Sequence, residues 1–101
     1  MAVWKMGEDT MATATLIVRH QVQDYSAWRE VYDSVEDLRQ RYSCLAAEVM
    51  TDPGNKNDVF IIHQFPTLDA AQGFAGSGEL KEAMGRAGLT GAPRIEIATE
   101  A

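Results

Sequence analysis

A three-residue segment recurs in this chain and constrains its fold more than any other feature. His20-Gln21-Val22 returns as His63-Gln64-Phe65, and these two segments hold the only histidines among the 101 residues. Each segment ends an apolar, strand-like run and is followed by a break, a helical pattern and a second strand-like run. The pattern therefore predicts two copies of one β-α-β unit.

The predicted elements follow the order β-α-β-β-α-β. Strands are predicted over 14–22, 44–51, 59–65 and 94–99, with a hairpin across 53–57. Helices are predicted over 27–42 and over 68–87, the second with an interruption at 76–78 and a C-terminal stop at Gly88. Crossover handedness and the single hairpin favour a ferredoxin-like α+β fold, with a four-stranded antiparallel sheet in the order 4-1-3-2 and both helices on one face.

The length of the chain is that of one domain. Residues 1–12 match no pattern and are expected to form a flexible N-terminal extension, with Met11 as an alternative start, so the domain is predicted over 13–101. The formal net charge of −6 and the scattered basic residues disfavour nucleic acid as a partner. No apolar run approaches the roughly 20 residues that span a membrane. Without a secretory signal pattern, and with Cys44 as the single cysteine, a cytoplasmic location is expected.

Alternation along the two central strands assigns their side chains to two faces of the sheet. The face that carries His20 and His63 is the more apolar and is predicted to lie beneath the helices. The opposite face still carries Ile17, Phe60 and Ile62. An exposed apolar patch usually marks an interface, and a second copy of the same sheet is its simplest cover. A homodimer through this face is therefore predicted.

Four short patterns in this chain are similar to those of a known superfamily. They are Val22-x-Asp24-x-x-x-Trp28, Leu68-Asp69-Ala70-Ala71 after Phe65, Leu80-x-x-Ala83-Met84-x-x-Ala87-Gly88, and Gly91-x-Pro93 before the last strand. Together, over about residues 13–100, the chain resembles the dimeric α+β barrel proteins, which include the antibiotic biosynthesis monooxygenase family. The resemblance implies a homodimer of packed sheets, with a pocket between each sheet and its helices. It also implies cofactor-independent monooxygenase or isomerase activity on a small aromatic or polyketide-like molecule.

His20, His63 and Tyr32 are the candidate catalytic residues. A neutral histidine can take a proton from a phenol or an enol because its pKa lies near 7, and Tyr32 can donate or accept a hydrogen bond. If the two histidines are directly paired, their Cβ atoms are about 5 Å apart. A slip of two residues separates them by about 7 Å. The alternative is that both are core histidines satisfied by neighbours.

Trp28, Phe74 and Met84 are the candidate substrate-binding residues, because helical spacing turns them toward the sheet. The same spacing is typical of an ordinary core, which is the alternative. No cofactor is expected, since no phosphate-binding glycine motif is present. No metal is expected either, because two histidines need a further ligand such as Glu48. The alternative function is a non-catalytic dimer that binds a small ligand or is structural.

Overall fold

The computed structural model describes residues 13–101, and the predicted extension over 1–12 lies outside the described residues. The strands are β1 (Ala14–Gln21), β2 (Ala46–Asp52), β3 (Asn55–Phe65) and β4 (Arg94–Thr99). The helices are α1 (Tyr25–Ser34), α2 (Glu36–Arg41), α3 (Leu68–Ala75) and α4 (Gly78–Arg86). In the described range, no helix is long and apolar enough to cross a membrane.

The four strands form one antiparallel sheet in the order β2-β3-β1-β4. This is the predicted 4-1-3-2 order, and it confirms the ferredoxin-like α+β fold. The helix-facing positions of the two central strands are buried, as alternation predicts: Ala14, Leu16, Val18, His20, Val59, Ile61, His63 and Phe65. The core therefore lies between this face and the helices.

The first predicted helix is wrong in one respect, because it is two helices that break at Val35. Asp24 caps the start of α1 by accepting a hydrogen bond from the backbone N–H of Ala27. Near its end, the Ser34 hydroxyl donates to the carbonyl of Val31 over 2.6 Å. Such back-bonding by serine competes with the helical pattern and often bends a helix. The chain leaves helical geometry at Val35 and resumes as α2.

The hairpin is tighter than predicted. β3 begins at Asn55 rather than at 59, so that only Pro53 and Gly54 connect it to β2. The carboxylate of Asp52 accepts a hydrogen bond from the Gly54 backbone N–H over 2.8 Å, and this local bond closes the turn.

The two helices of the second half pack differently. α3 lies directly on β1, β3 and β4, whereas α4 packs mainly against α1. α4 is a separate helix because Ser77 caps its start, accepting from the backbone N–H groups of Glu79 and Leu80. It ends before Gly88, which has a φ of 76° and confirms the predicted stop. α4 thus lies over the sheet without packing closely against its strands.

Candidate functional site

A row of contacting aromatic rings connects the two histidines beneath the helices, edge-on between His20 and Trp28 and stacked from Trp28 to His63. Trp28 and Tyr32 are four residues apart on α1, so they share one face of that helix. The ring centroids lie 5.6 Å apart for His20 and Trp28, 5.0 Å for Trp28 and Tyr32, and 6.0 Å for Tyr32 and His63. The row brings together all three candidate catalytic residues and one candidate substrate-binding residue.

The register of the central strands corrects the expected spacing of the histidines. His20 lies opposite Val59, and His63 lies opposite Leu16. The two are therefore offset by four residues, about 13 Å along the strands, and both expected separations, about 5 Å and about 7 Å, are wrong. They still share the helix-covered face, where Trp28 and Tyr32 occupy the space between them.

His63 is buried and is paired with Tyr32. Nε2 of His63 lies 2.9 Å from the Tyr32 hydroxyl. Burial, reinforced by the positive charge of Arg39, lowers the pKa of His63 to about 4, so its ring is neutral at pH 7. Burial also raises the pKa of Tyr32, which keeps the phenol protonated. The pair is thus two neutral groups sharing one hydrogen bond.

His20 has a different environment, although it is buried to a similar degree. Within residues 13–101, neither of its ring nitrogens has a hydrogen-bond partner, and Nδ1 of His63 also lacks one. Burial lowers the pKa of His20 as well. Buried polar atoms almost always have a partner in protein or water. Within the described part of the chain, protein neighbours therefore satisfy one nitrogen of His63 and neither nitrogen of His20.

Arg39 belongs to the site, although it is not among the site residues predicted from the sequence. The break at Val35 turns its side chain inward, and Arg39 is only 8% exposed. Its guanidinium carbon lies 4.0 Å from the centroid of the Tyr32 ring, and Nη1 donates to the Tyr32 carbonyl over 3.0 Å. Nothing in the hydrophobic spacing could have shown this, because the spacing fits one continuous helix.

A cavity of about 50 Å³ lies between the sheet and the helices, along the row of rings. His20, Trp28, Tyr32, Arg39 and His63 line it together with aliphatic side chains. α4 forms the wall opposite the sheet, and the side chains that it contributes to this wall are apolar and half-buried or buried. The wall is almost entirely apolar, so the few polar atoms fix where a polar group of a ligand can bind.

Phe74 and Met84 also line the cavity, at its α3–α4 side. Phe74 is buried, and its ring meets the ring of His63 edge-on with centroids 5.4 Å apart. Met84 is half-buried on α4. The structure therefore places every predicted site residue on one cavity.

The site offers little to a metal ion. Glu48 lies opposite Ile62 in the register, which puts it on the other face of the sheet from both histidines. In the part of the chain that the structure describes, no group of three or more histidine, cysteine, aspartate or glutamate side chains is close enough to hold a metal.

Comparison with solved structures identifies the fold. A candidate antibiotic biosynthesis monooxygenase from Caulobacter crescentus superposes with a TM-score of 0.74 at 15% identity, over 90% of this chain and 92% of that one. SnoaB, a cofactor-independent oxygenase from Streptomyces nogalater, gives 0.69 at 12% identity, over 89% and 92%. This chain has the fold of the antibiotic biosynthesis monooxygenase-like proteins. A Nitrosomonas europaea protein of unknown function also shares it, with a TM-score of 0.72 at 18% identity over 91% and 92%. No protein-family model and no curated protein matches the sequence.

Proposed function

We propose that this chain forms a homodimer whose cavities bind a small aromatic or polyketide-like molecule and act on it without a cofactor. The observation that carries the proposal concerns His20, whose two ring nitrogens have no hydrogen-bond partner within residues 13–101 and which lies beside a stacked Trp28–Tyr32 pair in an apolar cavity. An aromatic ligand gains stacking contacts there, and its hydroxyl or enol group gives His20 the missing partner.

His20 is the general base in this proposal. It is free to accept a proton from a phenol or an enol, whereas Nε2 of His63 is already engaged by Tyr32. The resulting enolate can be reprotonated at another carbon, which is an isomerisation. Alternatively, it reacts with dioxygen, which places one oxygen atom on the substrate carbon and releases the other as water. Trp28, Phe74 and Met84 hold the ring, and the Tyr32–His63 pair fixes its orientation.

Substrate entry requires that the helices separate. A cavity of about 50 Å³ holds a few water molecules, whereas sites for larger organic ligands are about 300 Å³ or more. α4 is the element that can move, because it packs mainly on α1 and is bounded by the Gly76-Ser77-Gly78 segment and by Gly88. Its displacement from the sheet would enlarge the cavity without disturbing β1 or β3.

The structural neighbours support the catalytic form of this proposal. SnoaB, which shares the fold, is a cofactor-independent oxygenase. Chemistry without a cofactor needs a base and a preorganised apolar site. In this chain, His20 is the candidate base, and the apolar side chains that line the cavity form the site.

A second candidate function is a non-catalytic binder of the same kind of ligand. Burial lowers the pKa of His20, the proposed base, and this favours the second candidate, because a weaker base removes a proton from the ligand less readily. Turnover distinguishes the two functions, since a binder holds the ligand without changing it.

The test uses Trp28 as its own probe in a Trp4→Phe background, since these are the only tryptophans of the chain. Titration with 1,8-dihydroxyanthrone under nitrogen should quench Trp28 fluorescence, and admission of air should then give the anthraquinone faster than the buffer alone. His20→Asn should retain binding but slow turnover by about a hundredfold. His63→Asn, the matched control, should slow it less. Binding without turnover supports the second candidate, and absence of binding overturns both.

A further inference from the structure

Arg39 is a buried cation that has no charged partner among the residues that the structure describes. Arg39 is only 8% exposed, and its one side-chain hydrogen bond to a described residue goes to the neutral carbonyl of Tyr32. Within residues 13–101, no carboxylate forms an ion pair with it. Arginine is rarely buried to this extent unless it is paired, because taking a charge out of water is costly.

The acidic side chains nearest Arg39 in sequence, those of Asp33, Glu36 and Asp37, are exposed, whereas Arg39 is buried. Asp33 pairs with Arg29 over 3.0 Å on the exposed side of α1. Glu36 accepts a hydrogen bond from Gln40 and is exposed. The break at Val35 thus separates the guanidinium from the carboxylates of its own helices, and it places Arg39 at the cavity instead.

The other titratable groups around the cavity do not compensate this charge. His20 and His63 are neutral at pH 7.5, because burial lowers their pKa values. Burial also raises the pKa values of Tyr32 and of Cys44, so both keep their protons. The described residues that line the cavity therefore carry one positive charge, and the apolar wall screens that charge poorly.

We infer that the cavity selects a small aromatic anion, and that Arg39 recognises its negative charge, in the form of a carboxylate on the ring. Nε and Nη2 of Arg39 have no partner within the described residues, and the guanidinium fork matches a carboxylate. The guanidinium stacks on Tyr32, so a ligand bound to it lies beside the row of rings. This inference rests on the proposed function, because it concerns the ligand of the same cavity.

The test compares two ligands of nearly the same shape, 2-naphthoate and the neutral 2-naphthamide, by titration of Trp28 fluorescence at pH 7.5. We expect 2-naphthoate to bind at least about tenfold more tightly, as a hydrogen-bonded charge pair should. Arg39→Gln should remove this preference by weakening 2-naphthoate alone. Arg39→Lys should retain part of it, because a charge remains without the planar fork.

Arg29→Gln is the matched control. Arg29 lies on α1, the helix that carries Tyr32, and its guanidinium carbon is 5.3 Å from the centroid of the Tyr32 ring, but Arg29 is paired with Asp33 outside the cavity. Its replacement should change neither affinity by more than about twofold. If Arg39→Gln does not fold, the affinities of the two ligands for the unchanged protein and for Arg39→Lys still test whether Arg39 selects the anion.

Two outcomes would overturn the inference, and they are distinguishable. Equal affinity for 2-naphthoate and 2-naphthamide would reject the charge selection while leaving the aromatic cavity intact. Failure of both ligands to bind would reject the charge selection and the proposed function together.

Discussion

At the residue scale, the two histidines occupy equivalent places in the repeat but have unequal surroundings. His63 shares a hydrogen bond with Tyr32 and lies within the influence of Arg39, whereas His20 has neither neighbour. Burial depresses the pKa of both rings, yet only His63 has a second cause. The two histidines should therefore differ in how their titration affects the stability of the fold.

Acid should destabilise the fold through His63. Its pKa is about 4 in the folded protein and about 6.5 in an unfolded chain, so the unfolded chain takes up the proton first as the pH falls. The contribution to the free energy of unfolding should be complete above about pH 6.5 and be lost between about 6.5 and 4. The loss should reach about 3 kcal/mol from this group. Urea unfolding at half-unit pH steps measures it.

The control is His63→Phe, which removes the titrating group but keeps an aromatic ring. The slope of unfolding free energy against pH should decrease by about one proton between pH 4 and 6.5. The lowered pKa values of His20 and Asp58 act in the same direction and remain in this variant. An unchanged slope would show that His63 is not the group responsible.

Alternation in the sequence predicted the face of each histidine but not the distance between them. Side chains alternate with a period of two, so a register shift of two or four residues leaves every residue on the same face. Pairing of His20 with Val59, and of His63 with Leu16, is set by the strand pairing as a whole. This is why both expected separations were wrong while the shared face was right.

At the element scale, the break at Val35 shows the limit of hydrophobic spacing. Val35, Leu38 and Tyr42 continue the spacing of α1, so the sequence favours one helix across the break. The hydrogen bond from Ser34 to the Val31 carbonyl is local and leaves no mark on that spacing. The helix that follows is therefore turned, and the inward position of Arg39 could not be predicted.

Two glycines at the end of α4 should respond oppositely to alanine. At both, an added Cβ meets no atom within 4 Å, so steric clash is not involved. Gly85 lies inside α4, where alanine should stabilise the protein by about 1 kcal/mol through helix propensity. Gly88 has a φ of 76°, where alanine should destabilise it by about 1 kcal/mol. Thermal unfolding of the two variants measures both, and a shared sign would contradict the backbone argument.

At the scale of the whole molecule, the sheet has an open face, which lies opposite the helices and carries Ile17, Phe60 and Ile62. Ile17 and Ile62 are directly opposed there, and the guanidinium carbon of Arg19 lies 4.7 Å from the centroid of the Phe60 ring. The three apolar side chains are half-buried within one chain. They are contiguous across the central strands, which supports the predicted homodimer through this face.

Ile62→Lys should convert a dimer into a monomer. In the sheet, Ile62 lies opposite Glu48, so the new ammonium group gains a cross-strand partner and the monomer fold is preserved. In a sheet-to-sheet interface the same charge would have to leave water, which costs several kcal/mol. The dissociation constant of the dimer should therefore rise by at least about a hundredfold.

Light scattering coupled to gel filtration measures the outcome at micromolar concentration. Gln72→Lys is the matched control, because it adds the same charge at an exposed position on α3, away from the open face. The unchanged protein and Gln72→Lys should both be dimers, and Ile62→Lys should be a monomer with unaltered circular dichroism. If the unchanged protein is a monomer, no second copy covers Ile17, Phe60 and Ile62, and the predicted homodimer is wrong. A dimer that survives Ile62→Lys would place the interface elsewhere on the molecule, because a charge buried in an apolar interface through this face would weaken the dimer.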